Sequence, residues 1–245
     1  MENAQLVSLS RQIALQRQMD VVANNMANIN TTGFKAEDML FQQFNMPTAA
    51  DNDFAGNQSV AYTEDWATVH DMTNGPMDQT GNPLDVALSG PGFLSVQTAA
   101  GVRYTRAGSL AINSAGTLVD LSGNPVLGDS GEIHFDPADT DITITRDGTV
   151  TTSQGIKGKL SVSEFADPQV QLTREGNNLW NGTNPQAPTN TTVVQGSIER
   201  SNVSGVTEMA QMIRVQRAYE QIAQLMQQQD SLRTNAVQKL GQIAA

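Results

Sequence analysis

Any chemistry in this chain would have to start from very few groups. It has two histidines, His70 and His134, and no cysteine. Thiolate nucleophiles, disulfides and sulfur-ligated metals are therefore excluded. Neither histidine has a second ligand at HxH or HxxxH spacing, so both read as surface or satisfied core residues. Asp136, Asp139 and Asp141 crowd one short stretch, but they lack EF-hand spacing and its closing Glu, so a solvated turn is the reading. Gly90-Pro91-Gly92 is not followed by Lys-Ser/Thr, so it opens a strand and does not cradle a phosphate. No Ser-His-Asp set can be assembled. Asn-x-Ser/Thr triplets such as Asn181-Gly182-Thr183 are expected by chance in a chain this rich in Asn and Thr. Catalytic, cofactor-binding and metal positions are all read as none, and the chain is not read as an enzyme.

What remains is the scaffold. With 245 residues the chain is long enough for one or two domains with a real core. Only 16% of the residues are charged and 38% are apolar; Gln, Asn, Thr, Ser and Gly fill the deficit, which suits close self-contact. Residues 1–40 carry three basic and four acidic groups, and 201–245 carry four and three, so the net charge of −11 lies wholly between them. Near-neutral ends can pack against copies of themselves with little repulsion. The acidic middle excludes a nucleic-acid footprint. No run approaches 18 apolar residues, so no membrane span is expected, and Met1–Gln5 shows no basic n-region of a cleaved signal.

Glycine and proline divide the chain. All nine prolines lie from Pro47 to Pro188, and residues 1–32 and 206–240 contain neither residue type. The first segment predicts a helix over about 3–29. Leu15, Met19, Val22, Met26 and Ile29 form a 4-3-4-3 stripe, and Leu6, Leu9 and Ile13 form one in a slightly different phase. The helix should stop at Asn30-Thr31-Thr32-Gly33, where Gly33 can take a positive φ. The last segment predicts a longer helix, capped by Ser204 with Glu208 in its first turn. There Met212, Val215, Tyr219, Ile222 and Met226 repeat at 3-4-3-4, and about 40 residues would make a rod of roughly 60 Å. Both stripes average 3.5 residues, so the two ends are expected to meet as a coiled coil, with an ordinary two-helix hairpin packed on the domain as the alternative. Such a narrow, polar seam needs further neighbours to offset its ordering entropy. Residues 36–75, with Asp51-Asn52-Asp53 and Gly56-Asn57-Gln58, read as an extended arm. From 75 to 196 short β-prone runs (Phe93–Thr98, Val102–Arg106, Ser109–Ile112, Ile142–Thr145, Lys159–Phe165, Val170–Thr173) alternate with turn pairs such as Gly123-Asn124 and Asp147-Gly148. An antiparallel barrel or sandwich is expected. The fold class is therefore α+β: N- and C-terminal helices pairing as a coiled coil, plus a central antiparallel all-β domain. The segments are 1–35 (helix), 36–75 (arm), 76–200 (β domain) and 201–245 (helix).

Four blocks in order carry a resemblance. The run from Met19 to Lys35 (MDVVANNMANINTTGFK), the run from Thr80 to Leu88 followed by Gly90-Pro91-Gly92-Phe93, and Tyr104-Thr105-Arg106-Ala107-Gly108-Ser109 are three of them. The fourth is Gln195 to Val203, with Glu208-Met209 and Gln216-Arg217-Ala218-Tyr219-Glu220. Together they resemble the flagellar basal-body rod and hook protein family over nearly the whole chain. Leu94 departs from the family pattern, where a second aromatic is common. The chain's shortness and Gly123–Gly128 followed by Gly131-Glu132-Ile133 are most similar to proximal-rod members, with distal-rod members as runner-up. The resemblance implies a structural subunit of a helical rod that transmits torque across the periplasm. It implies terminal helices that build the inner tube, and export through the flagellar type III apparatus without a cleaved signal. The implied partners are copies of itself, other rod subunits, the export apparatus and the surrounding ring proteins. The expected assembly residues are Leu15, Met19, Val22, Asn24, Asn25, Met26, Asn28, Met212, Val215, Tyr219, Ile222 and Met226. In this reading the asparagines offer amides to neighbouring subunits; helix capping by Asn28 is the alternative.

Two other classes fit less well. A secreted carbohydrate-active β domain would need more exposed aromatics than Trp66 and Trp180 can supply. An adhesin with a coiled-coil stalk would need a signal peptide.

Overall fold

The computed structural model describes residues 2–47 and 59–243, and the chain divides into two compact units. Asp51–Asp53 and Gly56–Gln58 lie outside the described residues.

The first unit comprises residues 1–26, 37–69 and 204–245. Helix α1 runs Glu2–Ala27, ending two residues before the expected stop. Thr31 N–H then closes a turn on the Asn28 carbonyl, and Gly33 takes φ +66°. Strands β1 (Glu37–Pro47) and β2 (Ser59–His70) pair as a two-stranded sheet, so the expected arm is a ribbon. No period-2 alternation announces it: in β1 Leu40, Phe41 and Phe44 are all exposed, and Met39 is buried. Near the start of α1, Gln5 donates to Asp230 in the C-terminal segment.

The second unit, residues 27–36 and 70–203, contains the remaining strands. It opens with β3 (Met77–Gln79), β4 (Val86–Ser89), β5 (Phe93–Thr98), β6 (Gly101–Thr105), β7 (Leu110–Ile112) and β8 (Leu118–Asp120). Then come β9 (Leu127–Gly128), β10 (Gly131–Glu132), β11 (Thr143–Ile144), β12 (Thr149–Thr152), β13 (Gly155–Lys159) and β14 (Val162–Ser163). After the one-turn helix α2 (Pro168–Gln171) follow β15 (Leu172–Glu175), β16 (Leu179–Gly182), β17 (Thr192–Gln195) and β18 (Ser197–Glu199). The chain then enters α3 (Gly205–Ile243), whose first bond runs from Glu208 N–H to the Ser204 carbonyl.

The strands pair antiparallel. They form one five-stranded sheet, β14-β5-β6-β16-β15, with a three-stranded sheet and several pairs around it, and not a single barrel. The centre of the five-stranded sheet is covered on both faces. Leu94, Val96 and Leu179 point to a larger core with Val86, Leu88, Leu118, Val126, Ile133, Val150 and Leu160. Phe93, Tyr104 and Trp180 point the other way, to Phe165 and Leu172, in edge-to-face aromatic contacts at 5.0–6.3 Å. This explains why Phe93 through Val96 are all buried instead of alternating. Ile142 and Ile144 do alternate, inward, against exposed Thr143 and Thr145. The expected strand at Val170–Thr173 starts late: Pro168, at a helical first position, makes residues 168–171 a helical turn, and pairing begins at Leu172.

Candidate functional site

The residues expected to mediate assembly lie on α1 and α3. On α1, Val22 and Asn25 are buried and Leu15, Met19 and Met26 are half-buried; Asn28, in the turn just past the helix, is also half-buried. On α3, Val215 is buried, and Met212, Tyr219, Ile222 and Met226 are half-buried. Early in α3, Glu208 lies beside Asn25 near the end of α1, and Asp230 accepts from Gln5 near its start, so the helices run antiparallel. Asn24 is exposed.

The asparagines are used within the chain. Asn25 Nδ2 donates to the Glu37 carbonyl at 2.8 Å, and its Oδ1 accepts from Glu37 N–H at 2.9 Å, bracing the start of β1. Asn28 Oδ1 accepts from the Thr31 hydroxyl at 3.1 Å, closing the helix end. Glu220 accepts from Gln216, one turn back. Burial, with the nearby Asp38 charge, raises the Glu208 carboxyl above its ordinary range against the opposing Asn25 amide.

A different set of side chains faces outward. Leu6, Leu9 and Ile13 on α1 are 50%, 44% and 46% exposed, and Val206, Met209 and Ile213 on α3 are 82%, 57% and 51% exposed. Each trio is spaced i, i+3, i+7, so each helix carries a second apolar stripe that its own unit leaves uncovered. The phase offset of Leu6, Leu9 and Ile13 was the available signal on α1; the α3 trio had been hidden beside the stronger seam.

In the β unit, the four blocks singled out above converge on one junction. Lys35, Arg106 and Glu199 are enclosed there, with side chains at most 1% exposed. Lys35 Nζ lies 2.7 Å from Glu199 Oε1 and donates to the Thr73 carbonyl at 2.7 Å. Arg106 Nη1 lies 3.6 Å from Glu199 Oε2, Nη2 donates to Asn74 Oδ1 and the Gly90 carbonyl, and the guanidinium stacks on Phe93. Gly33 N–H donates to the Glu199 carbonyl, and a Cβ at Gly33 would fall 2.4 Å from the Arg106 carbonyl carbon. Val86 N–H donates to the Gly108 carbonyl, and Thr80 and Asn82 both hold Asp85. Asn202 ties Ala36 N–H to the carbonyls of Asp71 and Thr73. Burial first, and then Arg106, lower the Lys35 pKa, with Glu199 opposing. The junction is an internal ionic lock.

The groups that first suggested chemistry are spoken for. Lys157 bridges Asp136 and Asp139 at 2.8 and 2.7 Å. His70 packs edge-on against Trp180, and His134 is exposed beside Glu132 and Thr117. Among the described residues no three His, Cys, Asp or Glu side chains gather as a metal site, and no helix is long and apolar enough to cross a membrane.

Comparison with known proteins matches this layout. Residues 6–35 match the family model described as flagella basal body rod protein. Residues 87–152 match that of the flagellar hook protein FlgE/F/G D1 domain, and 194–239 that of the flagellar basal body rod FlgEFG protein C-terminal. The chain is 39% identical over 247 residues to the flagellar basal-body rod protein FlgF of Caulobacter vibrioides, covering 99% of this chain and 100% of that protein. The chain belongs to the flagellar basal-body rod protein family. It is also 34% identical to the FlgF of Mesorhizobium japonicum, covering 98% and 99%, and 35% identical to the FlgG of Agrobacterium fabrum, covering 84% and 87%. In family terms, the rod-protein match ends at Lys35 and the C-terminal match takes in Glu199, so the ionic lock joins the two terminal family regions.

Proposed function

We propose that the chain is a structural, non-enzymatic subunit of the flagellar rod, at the proximal position, and that it polymerises through its terminal helices. The observation that carries this reading is the pair of uncovered stripes, Leu6/Leu9/Ile13 and Val206/Met209/Ile213. A helix apolar on two sides is suited to burial on two sides, and one side is already used within the unit. The antiparallel contacts Gln5–Asp230 and Asn25–Glu208 favour α1 and α3 meeting along a coiled-coil seam centred on Val22 and Val215. The near-neutral ends favour packing of copies, and they would form the inner tube, with segments 36–75 and 76–200 outside it. The proximal assignment rests on the FlgF relatives; a distal position is the alternative, from the FlgG relatives. The partners are further copies, other rod subunits and the surrounding rings, reached by type III export into the periplasm.

The test is genetic. Deleting the gene abolishes flagella, and the wild-type gene restores swimming. A Leu9→Asp/Ile13→Asp gene makes a folded, stable chain that does not restore it, because an exposed charge costs the monomer within about 0.5 kcal/mol but is stranded once covered. A deletion strain that still swims contradicts the proposal.

A further inference from the structure

The ionic lock is built unlike the rest of the β unit. Its three charged groups come from distant points in the chain and are fully enclosed. The charges do not balance: two cations share one carboxylate, and Arg106 meets the neutral Asn74 amide where a second anion would complete the set. Asp71 is a further acid whose charge reaches Lys35, more weakly than Glu199. The segments around the lock are tied mainly by polar contacts: Gly33 and Gly75 N–H to Glu199, Ala36 N–H to Asn202, and Arg200 N–H to the Pro76 carbonyl. β3 is exposed throughout and pairs with β18 alone. Phe34 is buried yet belongs to neither hydrophobic core, and is covered instead by the Arg174 guanidinium at 4.2 Å.

We propose that Lys35, Arg106 and Glu199 form a charge-governed clasp that opens as a unit of its own, with Glu199 as the closing group. With the carboxylate seated, residues 31–36, 73–76 and 197–202 are held in a single state. With it withdrawn, two enclosed cations are left without a counter-charge, and these segments release together while both hydrophobic cores stay packed. The chain passes out of the β unit directly after Ala36 and after Val203, so one event loosens or seats both exits. The clasp makes the anchoring of the N-terminal segment conditional on arrival of the C-terminal strand. This inference does not depend on the proposed rod function.

Native-state hydrogen exchange on the full-length chain tests it, with Glu199→Gln, Lys35→Met and the double variant. In Glu199→Gln the amides of Gly33, Gly75 and Arg200 exchange about tenfold faster or more, while those of Leu118, Val126 and Leu160 keep their protection. Lys35→Met leaves Arg106 and Glu199 balanced and stays within about threefold of wild type at the same amides. Adding Lys35→Met to Glu199→Gln returns the charge excess to one and restores protection, a rescue that simple loss of packing cannot produce. If Glu199→Gln does not fold but the double variant does, the same rescue is seen at the level of folding. The proposal is overturned if core and junction amides lose protection equally, if Glu199→Gln changes neither, if Lys35→Met alone opens the junction as far as Glu199→Gln, or if the second substitution fails to rescue.

Discussion

Lys35 and Gly33 sit two residues apart, and each has a role that its neighbours in space impose. Lys35 is lowered by burial and by Arg106 more than Glu199 raises it, so in the folded state it gives up its proton at lower pH than in the unfolded chain. The unfolded chain then binds more protons between the two values, so stability rises with pH across that window, up to the ordinary lysine value of 10.5. Urea unfolding over the alkaline range should show this gain in the wild type and not in Lys35→Met. Gly33 combines φ +66° with a Cβ position 2.4 Å from backbone, so Gly33→Ala is expected to cost about 2–4 kcal/mol in the same assay. The sequence made Gly33 legible, because a glycine closing a Pro-free helical run points to a positive φ. Nothing local marked Lys35, Arg106 and Glu199 as one cluster; residues so far apart in the chain meet only through tertiary folding. Asn25 illustrates the same limit: nothing local marked Glu37, whose backbone N–H and carbonyl its amide engages.

At the scale of elements, period and punctuation carried most of what could be read. Two long uninterrupted segments became α1 and α3, and the run at Phe93–Thr98 is β5 as read. The β1–β2 ribbon was obscured because its apolar residues do not alternate, and the turn at Pro168 because a β-prone run masked a helix-starting proline. The start of α3 carries a testable conflict. Glu208 suits the positive end of the helix, yet burial and Asp38 raise its pKa. A raised carboxyl favours the protonated folded form, so its contribution is present at acid pH and is lost as pH rises beyond the ordinary glutamate value of 4.5. Glu208→Gln should therefore melt higher than wild type near neutrality when followed by helical circular dichroism, and the difference should close on acidification.

For the whole molecule, the β unit and the helical unit are stabilised by different means. Two apolar cores on either side of one sheet, together with the ionic lock, give the β unit an interior of its own. In the helical unit α1 and α3 bury few apolar side chains among the described residues (Ala14, Val22 and Val215), and Leu6, Leu9, Ile13, Val206, Met209 and Ile213 are left uncovered. A narrow seam cannot offset the ordering entropy of two long helices. Thermal scans of the dilute chain should thus show helical signal lost well before the near-ultraviolet signal of Trp180, which is fully buried in the β unit. The most direct measurement of the assembly claim is an electron cryomicroscopy map of basal bodies purified from cells that produce this chain. Density for the chain is expected within the rod, with α1 and α3 in its innermost layer and Leu6, Leu9 and Ile13 covered by neighbouring subunits. A complete rod without this chain, or one in which those side chains face solvent, would contradict the assembly claim.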